Sequence, residues 1–201
     1  KNNVELTIID PKLNSSIQDL ENTNPEIIFI CVPTPMNDDG TQDISILESV
    51  ILDLNKYCSS SLLVLKSTVL PSYVKHIEGI CSNLILNPEF LRENFADDDF
   101  INADLILFGG DKDASNKLSN FYKDHTKCIN HKHVFVDLVS ASLIKYTINS
   151  FLATKVIFFN EIKKIFDKSN TNDSWDNFIT ALSSDNRIGE THMQVPGPDG
   201  R

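Results

Sequence analysis

Residues 62–71 read Leu62-Leu63-Val64-Leu65-Lys66-Ser67-Thr68-Val69-Leu70-Pro71. Four consecutive aliphatic residues have no polar face, which is how a strand buried on both sides of a parallel sheet reads. The run delivers Lys66, Ser67 and Thr68 to the strand's carboxyl edge, and Pro71 supplies the fixed φ with which a helix opens. The same handover recurs outward in both directions. Strands are predicted at Val4 to Ile9, Ile27 to Val32, Leu62 to Lys66, Leu84 to Leu86, Leu105 to Phe108 and Val134 to Val136. Helical spacing predicts Ile44 to Lys56 with Asp43 as N-cap, Tyr73 to Ile80, and Ala114 to Lys127. The alternation predicts an α/β fold with a doubly wound parallel sheet over residues 1–137.

After Asp137 the pattern changes. Val139 to Lys168 contains no Gly or Pro and repeats apolar residues at helical spacing, from Leu143 and Ile144 through Phe151 and Phe159 to Ile165 and Phe166. One helix of about 30 residues spans roughly 45 Å, more than a small domain needs. It is apolar over much of its circumference, so it is expected to pack on a second helix, another subunit or a further domain. A shorter helix is predicted at Trp175 to Leu182, and residues 138–201 form a second, helical region.

The formal net charge of −10 disfavours broad contact with nucleic-acid phosphates. No apolar run approaches the roughly 20 residues that span a bilayer. Cys31, Cys58, Cys81 and Cys128 lack C-x-x-C or metal spacing and read as reduced thiols of a cytoplasmic protein, with no metal expected.

Four stretches are candidates for chemistry, three at strand ends and one on the long helix. Cys31-Val32-Pro33-Thr34-Pro35 must turn out over the strand's carboxyl end, where ligands sit in open α/β sheets, or else is simply a stiff loop. Thr68 is placed to orient a water or a phosphate, and equally to serve as a hydroxyl cap. In Asn87-Pro88-Glu89-Phe90-Leu91-Arg92-Glu93, two carboxylates four residues apart follow a buried strand, and one of them, if desolvated, is a candidate general base. The alternative is a solvated turn with Arg92 as local compensation. Lys145 and Asn149 lie one turn apart on the long helix, able to donate to a developing oxyanion or to form a wet stripe.

Taken in order, CVPTP, KSTV, NPEFLRE, LIKYTINSFLATK and DNRIG from Asp185 to Gly189 resemble the UDP-glucose 6-dehydrogenase branch of the nucleotide-sugar dehydrogenases. That branch stands beside enzymes that oxidise GDP-mannose and UDP-N-acetylmannosamine. The resemblance runs from about Ile27 to Arg201 and implies a Rossmann-like domain followed by a long central helix that forms a homodimer core. It also implies two successive NAD-dependent oxidations of UDP-glucose to UDP-glucuronate, the second through a cysteine thioester.

Carried onto this sequence, the resemblance makes Lys145 the oxyanion donor with Asn149 assisting. Glu89 becomes a base acting through a water that Thr68 positions. Phe90, Leu91, Arg92 and Glu93 would line the sugar-nucleotide pocket, Glu93 toward the nicotinamide. Val32, Pro33, Thr34, Ser67 and Thr68 would meet NAD, Asp10 its ribose, and Arg187 the sugar nucleotide in a neighbouring subunit. A sugar-nucleotide-binding or dimerisation module without catalysis would keep the same residues.

The family's opening strand with its Gly-x-Gly-x-x-Gly loop, and its catalytic cysteine, do not occur in these residues. In the strand order 3-2-1-4-5-6 the missing first strand is central. Two neighbouring strands would then hold orphaned backbone groups, at about 1–3 kcal/mol each. A fragment of a longer gene product is therefore expected. The 201 residues alone are expected to show no NAD reduction with UDP-glucose, which a simple absorbance assay for NADH checks.

Overall fold

Five strands, β1 (Ile27–Ile30), β2 (Leu62–Leu65), β3 (Leu84–Leu86), β4 (Leu105–Gly110) and β5 (Lys132–Val136), form one sheet in chain order. The computed structural model describes residues 4–128 and 132–197. The chain divides into two units, Lys1–Lys145 and Tyr146–Arg201.

β2 alternates strictly between the two sides. Leu63 and Leu65 join one core with Leu47, Ile51 and Leu54 of α1 (Ser45–Tyr57) and Val74 and Ile77 of α2 (Pro71–Ile80). Leu62 and Val64 join another with Leu118 and Tyr122 of α4 (Lys112–His125), named after the short α3 (Ala96–Ile101). Helices on both faces are what the continuous apolar runs require. Each fully buried Leu or Ile contributes about 1.5–3 kcal/mol of transfer free energy. The N-cap of α1 is Ile44 rather than the expected Asp43, whose Oδ1 accepts from the Ser45 N–H at 2.9 Å from one residue further out. Asp111 caps α4, its Oδ1 accepting from the N–H groups of Asp113 (2.9 Å) and Ala114 (3.0 Å). The Asp111 cap starts α4 two residues before the Ala114 expected from periodicity.

Two expectations are corrected. The sheet is mixed rather than wholly parallel: β1, β2 and β3 are parallel, β4 and β5 are parallel, and β3 meets β4 antiparallel through Ile85–Gly110 and Leu86–Gly109. A run buried on both faces has no polar side to report its direction. Here the link from β3 to β4 contains the short turn Glu93–Phe95 and the six-residue α3, and brings the chain back antiparallel. Second, Val4 to Ile9 is not a strand, and Val4, Leu6 and Ile8 are 50%, 80% and 64% exposed. Their alternation suits a strand, but no described strand pairs with them, and a strand needs a ladder partner. The gap expected within the sheet is accordingly an open edge. β1 pairs with β2, and no described strand lies on its other side.

The long helix α5 (Leu138–Lys168) starts where the chain leaves β5. Asp137 caps it, Oδ1 accepting from the Ser140 N–H at 2.9 Å and Oδ2 from the Ser140 hydroxyl at 2.5 Å. The first turns lie very close to β4. A Cβ placed on Gly109 would stand 2.3 Å from Ala141 Cβ and 3.2 Å from the Asp137 carbonyl oxygen. Ser142, buried beside this contact, donates from Oγ to the Val69 carbonyl at 2.5 Å.

In the second unit, Phe159 of α5 packs with Ile179 of α6 (Trp175–Ser183) and with Met193. The Phe166 ring meets Trp175 edge-on at 5.5 Å. Phe151, Ile157, Phe158 and Ile165 remain exposed on α5. No helix among the described residues is long and apolar enough to cross a membrane.

Gly109→Ala is expected to cost at least about 1–3 kcal/mol, because the added methyl overlaps Ala141 and the helix cannot retreat without losing its contacts. Thermal unfolding measures this. The double variant Gly109→Ala/Ala141→Gly is expected to regain part of the loss.

Candidate functional site

The carboxyl ends of β1 and β2 are laced together by side chains of the loops that follow them. Thr34 Oγ1 donates to the Thr68 carbonyl at 2.7 Å, and Ser67 Oγ donates to the Val32 carbonyl at 2.6 Å. Gln42 adds both ends of its amide: Nε2 donates to the Thr68 carbonyl at 2.9 Å, and Oε1 accepts from the Leu70 N–H at 2.9 Å. Val32, Thr34, Ser67 and Thr68, with Pro33 between the first two, are thus one rim. Gln42 carried no signal in the sequence, since only the fold brings its amide opposite Thr68 and Leu70.

The third strand end lies beside this rim. Asn87, 1% exposed, follows β3; its Oδ1 accepts from Lys66 Nζ at 3.1 Å and from the Tyr122 hydroxyl at 2.6 Å. Its Nδ2 donates to the Leu107 carbonyl at 2.8 Å. Burial pushes the Lys66 ammonium below the ordinary lysine range, opposed by the Glu89 carboxylate and reinforced by the Lys145 charge. Burial also pushes the Tyr122 phenol well above its usual value. The sequence reading had no role for either residue.

Two residues beyond Asn87, the Glu89 carbonyl accepts a hydrogen bond from Lys145 Nζ, and the same ammonium stands 5.0 Å from the centroid of the Phe90 ring. Carbonyl and ring quadrupole both favour the cation. Burial nevertheless holds Lys145 below the ordinary lysine range, with the Glu89 carboxylate pulling the other way. Lys145, the Glu89 backbone carbonyl and the Phe90 ring therefore converge. The arrangement offers a partly desolvated, directed cation at the end of a buried strand, suited to stabilise negative charge developing on a bound group.

The other candidates are placed as follows. Leu91 is half-buried, and Glu93 opens a turn at Glu93–Phe95, with its side chain outside the described part of the structure. Arg92 turns to Asp99, its backbone N–H and Nε donating to Oδ2 at 2.8 and 3.0 Å and its Nη2 to Oδ1 at 2.7 Å. Asp10 caps the turn Pro11–Leu13, its Oδ1 accepting from the Lys12 N–H at 2.8 Å. Asn149 and Arg187 belong to the second unit. There Arg187 forms a two-pronged contact with Asp185 (Nε–Oδ1 2.9 Å, Nη2–Oδ2 2.5 Å). Lys155 Nζ ties the carbonyls of Ile188 and Gly189 at 2.8 and 3.2 Å. No group of three or more His, Cys, Asp or Glu suited to a metal occurs among the described residues.

The Arg92 contact holds the Asp99 carboxyl at about 2, below its ordinary value of 3.8. A depressed carboxylate contributes stability above its unfolded value and loses it as the pH falls through the folded one. An NMR titration of Asp99 is expected to show a midpoint near 2, which Arg92→Ala returns toward 3.8.

Residues 6–126 match the NAD binding domain of the UDP-glucose/GDP-mannose dehydrogenase family, and residues 139–200 match its central domain. The first match begins some twenty residues before Ile27, where the motif resemblance starts. The UDP-glucose 6-dehydrogenase of Rickettsia bellii is 36% identical over 92% of this chain, which spans 44% of that protein. Among solved structures, a UDP-glucose dehydrogenase from Pyrobaculum islandicum superposes with a TM-score of 0.75 at 28% identity, over 89% of this chain and 43% of that one. A GDP-mannose dehydrogenase from Pseudomonas aeruginosa does so with 0.72 at 25% identity, over 88% and 44%. The chain thus spans less than half the length of these relatives. With both domain matches falling on the units that carry the strand-end rim and the long helix, the chain belongs to the UDP-glucose/GDP-mannose dehydrogenase family and carries its NAD binding domain.

Proposed function

We propose that these residues form the NAD-binding and central part of an enzyme that oxidises UDP-glucose to UDP-glucuronate. The observation that carries this reading is the Lys145 ammonium fixed on the Glu89 carbonyl over the Phe90 ring, beside the rim of Thr68. An alcohol carbon that loses a hydride passes through a state with negative charge on its oxygen, and a partly desolvated lysine is the strongest donor this site offers.

The rim of Val32, Pro33, Thr34, Ser67 and Thr68 fits a dinucleotide laid over the strand ends, because the Thr34 and Ser67 hydroxyls are spent on the Thr68 and Val32 carbonyls and stiffen an uncharged ledge. NAD, when bound, accepts the hydride. In this reading Thr68 orients a water toward Glu89, which takes the proton, and Asn149 assists Lys145. Phe90, Leu91, Arg92 and Glu93 line the sugar nucleotide, and Asp10 faces the ribose. Over both oxidations two NAD are reduced and one water enters. The nucleophile of the second step is a cysteine outside these 201 residues.

Two further elements complete the proposal. The exposed Phe151, Ile157, Phe158 and Ile165 give α5 an apolar surface suited to a homodimer core. Across such a dimer Arg187 would reach a neighbouring copy's sugar nucleotide. The protein is assigned to the cytoplasm, where its substrate and free thiols belong.

The test is NAD reduction by the full gene product containing these residues. Two NADH per UDP-glucose are expected, with little from GDP-mannose; preference for GDP-mannose would move the assignment within the family. Lys145→Ala is expected to lower kcat by about 10²–10³ while changing KM only a few-fold. An effect confined to KM would reject the oxyanion role.

A further inference from the structure

The lysine at the end of β2 is half-buried. Its ammonium is partly desolvated, and the acceptor it reaches is an uncharged amide oxygen, Asn87 Oδ1, at 3.1 Å. A methionine of similar length would fill that space without a charge to desolvate. Core packing therefore does not explain Lys66. Its geometry does. The two lone pairs of Asn87 Oδ1 are taken by Lys66 and the Tyr122 hydroxyl, and Nδ2 is tied to the Leu107 carbonyl on β4. The backbone N–H of Asn87 also continues the sheet, donating to the Leu65 carbonyl at 2.9 Å.

The next residue is Pro88, which is buried, fixes its own φ and confines Asn87 to extended backbone. A side chain held at three points before a proline leaves the chain one direction in which to emerge from β3. Two residues after Asn87 comes the Glu89 carbonyl that Lys145 holds, and then the Phe90 ring beneath the same ammonium. We infer that Lys66 and Tyr122 are positioning residues: by donating together to Asn87 Oδ1, they fix the exit of the chain from β3 and so hold the Glu89 carbonyl and Phe90 ring where Lys145 binds them. The inference deepens the proposed function and rests on it for its kinetic arm alone.

Lys66→Met and Tyr122→Phe each delete one donor with little change of shape. Hydrogen exchange of peptides covering residues 87–92, measured in the full gene product, is expected to quicken about tenfold or more in both variants, while β2 and the core of α1 keep their protection. With UDP-glucose, kcat is expected to fall about tenfold or more with a smaller change in KM, and Lys66→Arg, which keeps a charged donor, restores part of it.

Unchanged exchange over 87–92 overturns the inference whatever happens to the rate. So does faster exchange spread evenly through the sheet, which is loss of stability, and so does faster local exchange with an unaltered kcat. If the wild-type protein oxidises no sugar nucleotide, the proposed function fails and the exchange pattern alone decides this one. If Lys66→Met does not fold, Tyr122→Phe, which removes a single hydroxyl, decides it.

Discussion

The approach of α5 to β4 at Gly109 is the constraint on which the site depends. With Ala141 Cβ placed where a side chain on Gly109 would have to go, the helix lies as near the sheet as backbone allows. Ser142, donating to the Val69 carbonyl, stops it from sliding or rolling. Ala141 and Lys145 are four residues apart and share a face of the helix. Docking the first therefore sets the second over the end of β3, where the Glu89 carbonyl meets it. Helix position, more than any property of Lys145 itself, brings that lysine to the strand-end cluster.

The charges at the strand ends follow from the same architecture. Parallel strands buried on both faces send their polar residues to their carboxyl ends, so Lys66 and the Asn87–Arg92 stretch emerge side by side. Lys66 and Lys145 are two partly desolvated ammoniums whose charged forms the Glu89 carboxylate favours. Each lysine lowers its own desolvation cost through neutral groups, an amide oxygen in one case and a carbonyl with an aromatic ring in the other. The chain as a whole carries a formal charge of −10, which disfavours an extended anionic polymer as ligand.

Much of this was legible in the residues because it is local. Leu62 to Leu65 announce a buried strand, Pro71 announces a helix start, and the uninterrupted apolar periodicity after Val139 announces α5. The strand-end motifs were legible for the same reason, as polar clusters that terminate apolar runs. Strand direction was not. Nothing in Leu105 to Gly110 distinguishes the antiparallel join to β3 from a parallel one, since both faces are buried either way. Val4 to Ile9 misled because an apolar run records a segment's suitability for a strand, whereas a ladder needs a neighbour. Gln42 and Tyr122 were invisible because their partners lie 26 and 35 residues away.

By itself the sequence determined the α/β class, the strands from Ile27 onward, the long helix and the residue types available at each strand end. These depend on hydrophobic period, caps and breakers, which act over a few residues. The tertiary structure alone decided which of those residues meet. Thr34 reaches Thr68 across 34 positions, Lys66 reaches Asn87 across 21, and Lys145 reaches Glu89 across 56. Such contacts exist only once the sheet is ordered and α5 has closed on Gly109, because hydrogen bonds of a few ångströms are set by packing and not by spacing along the chain.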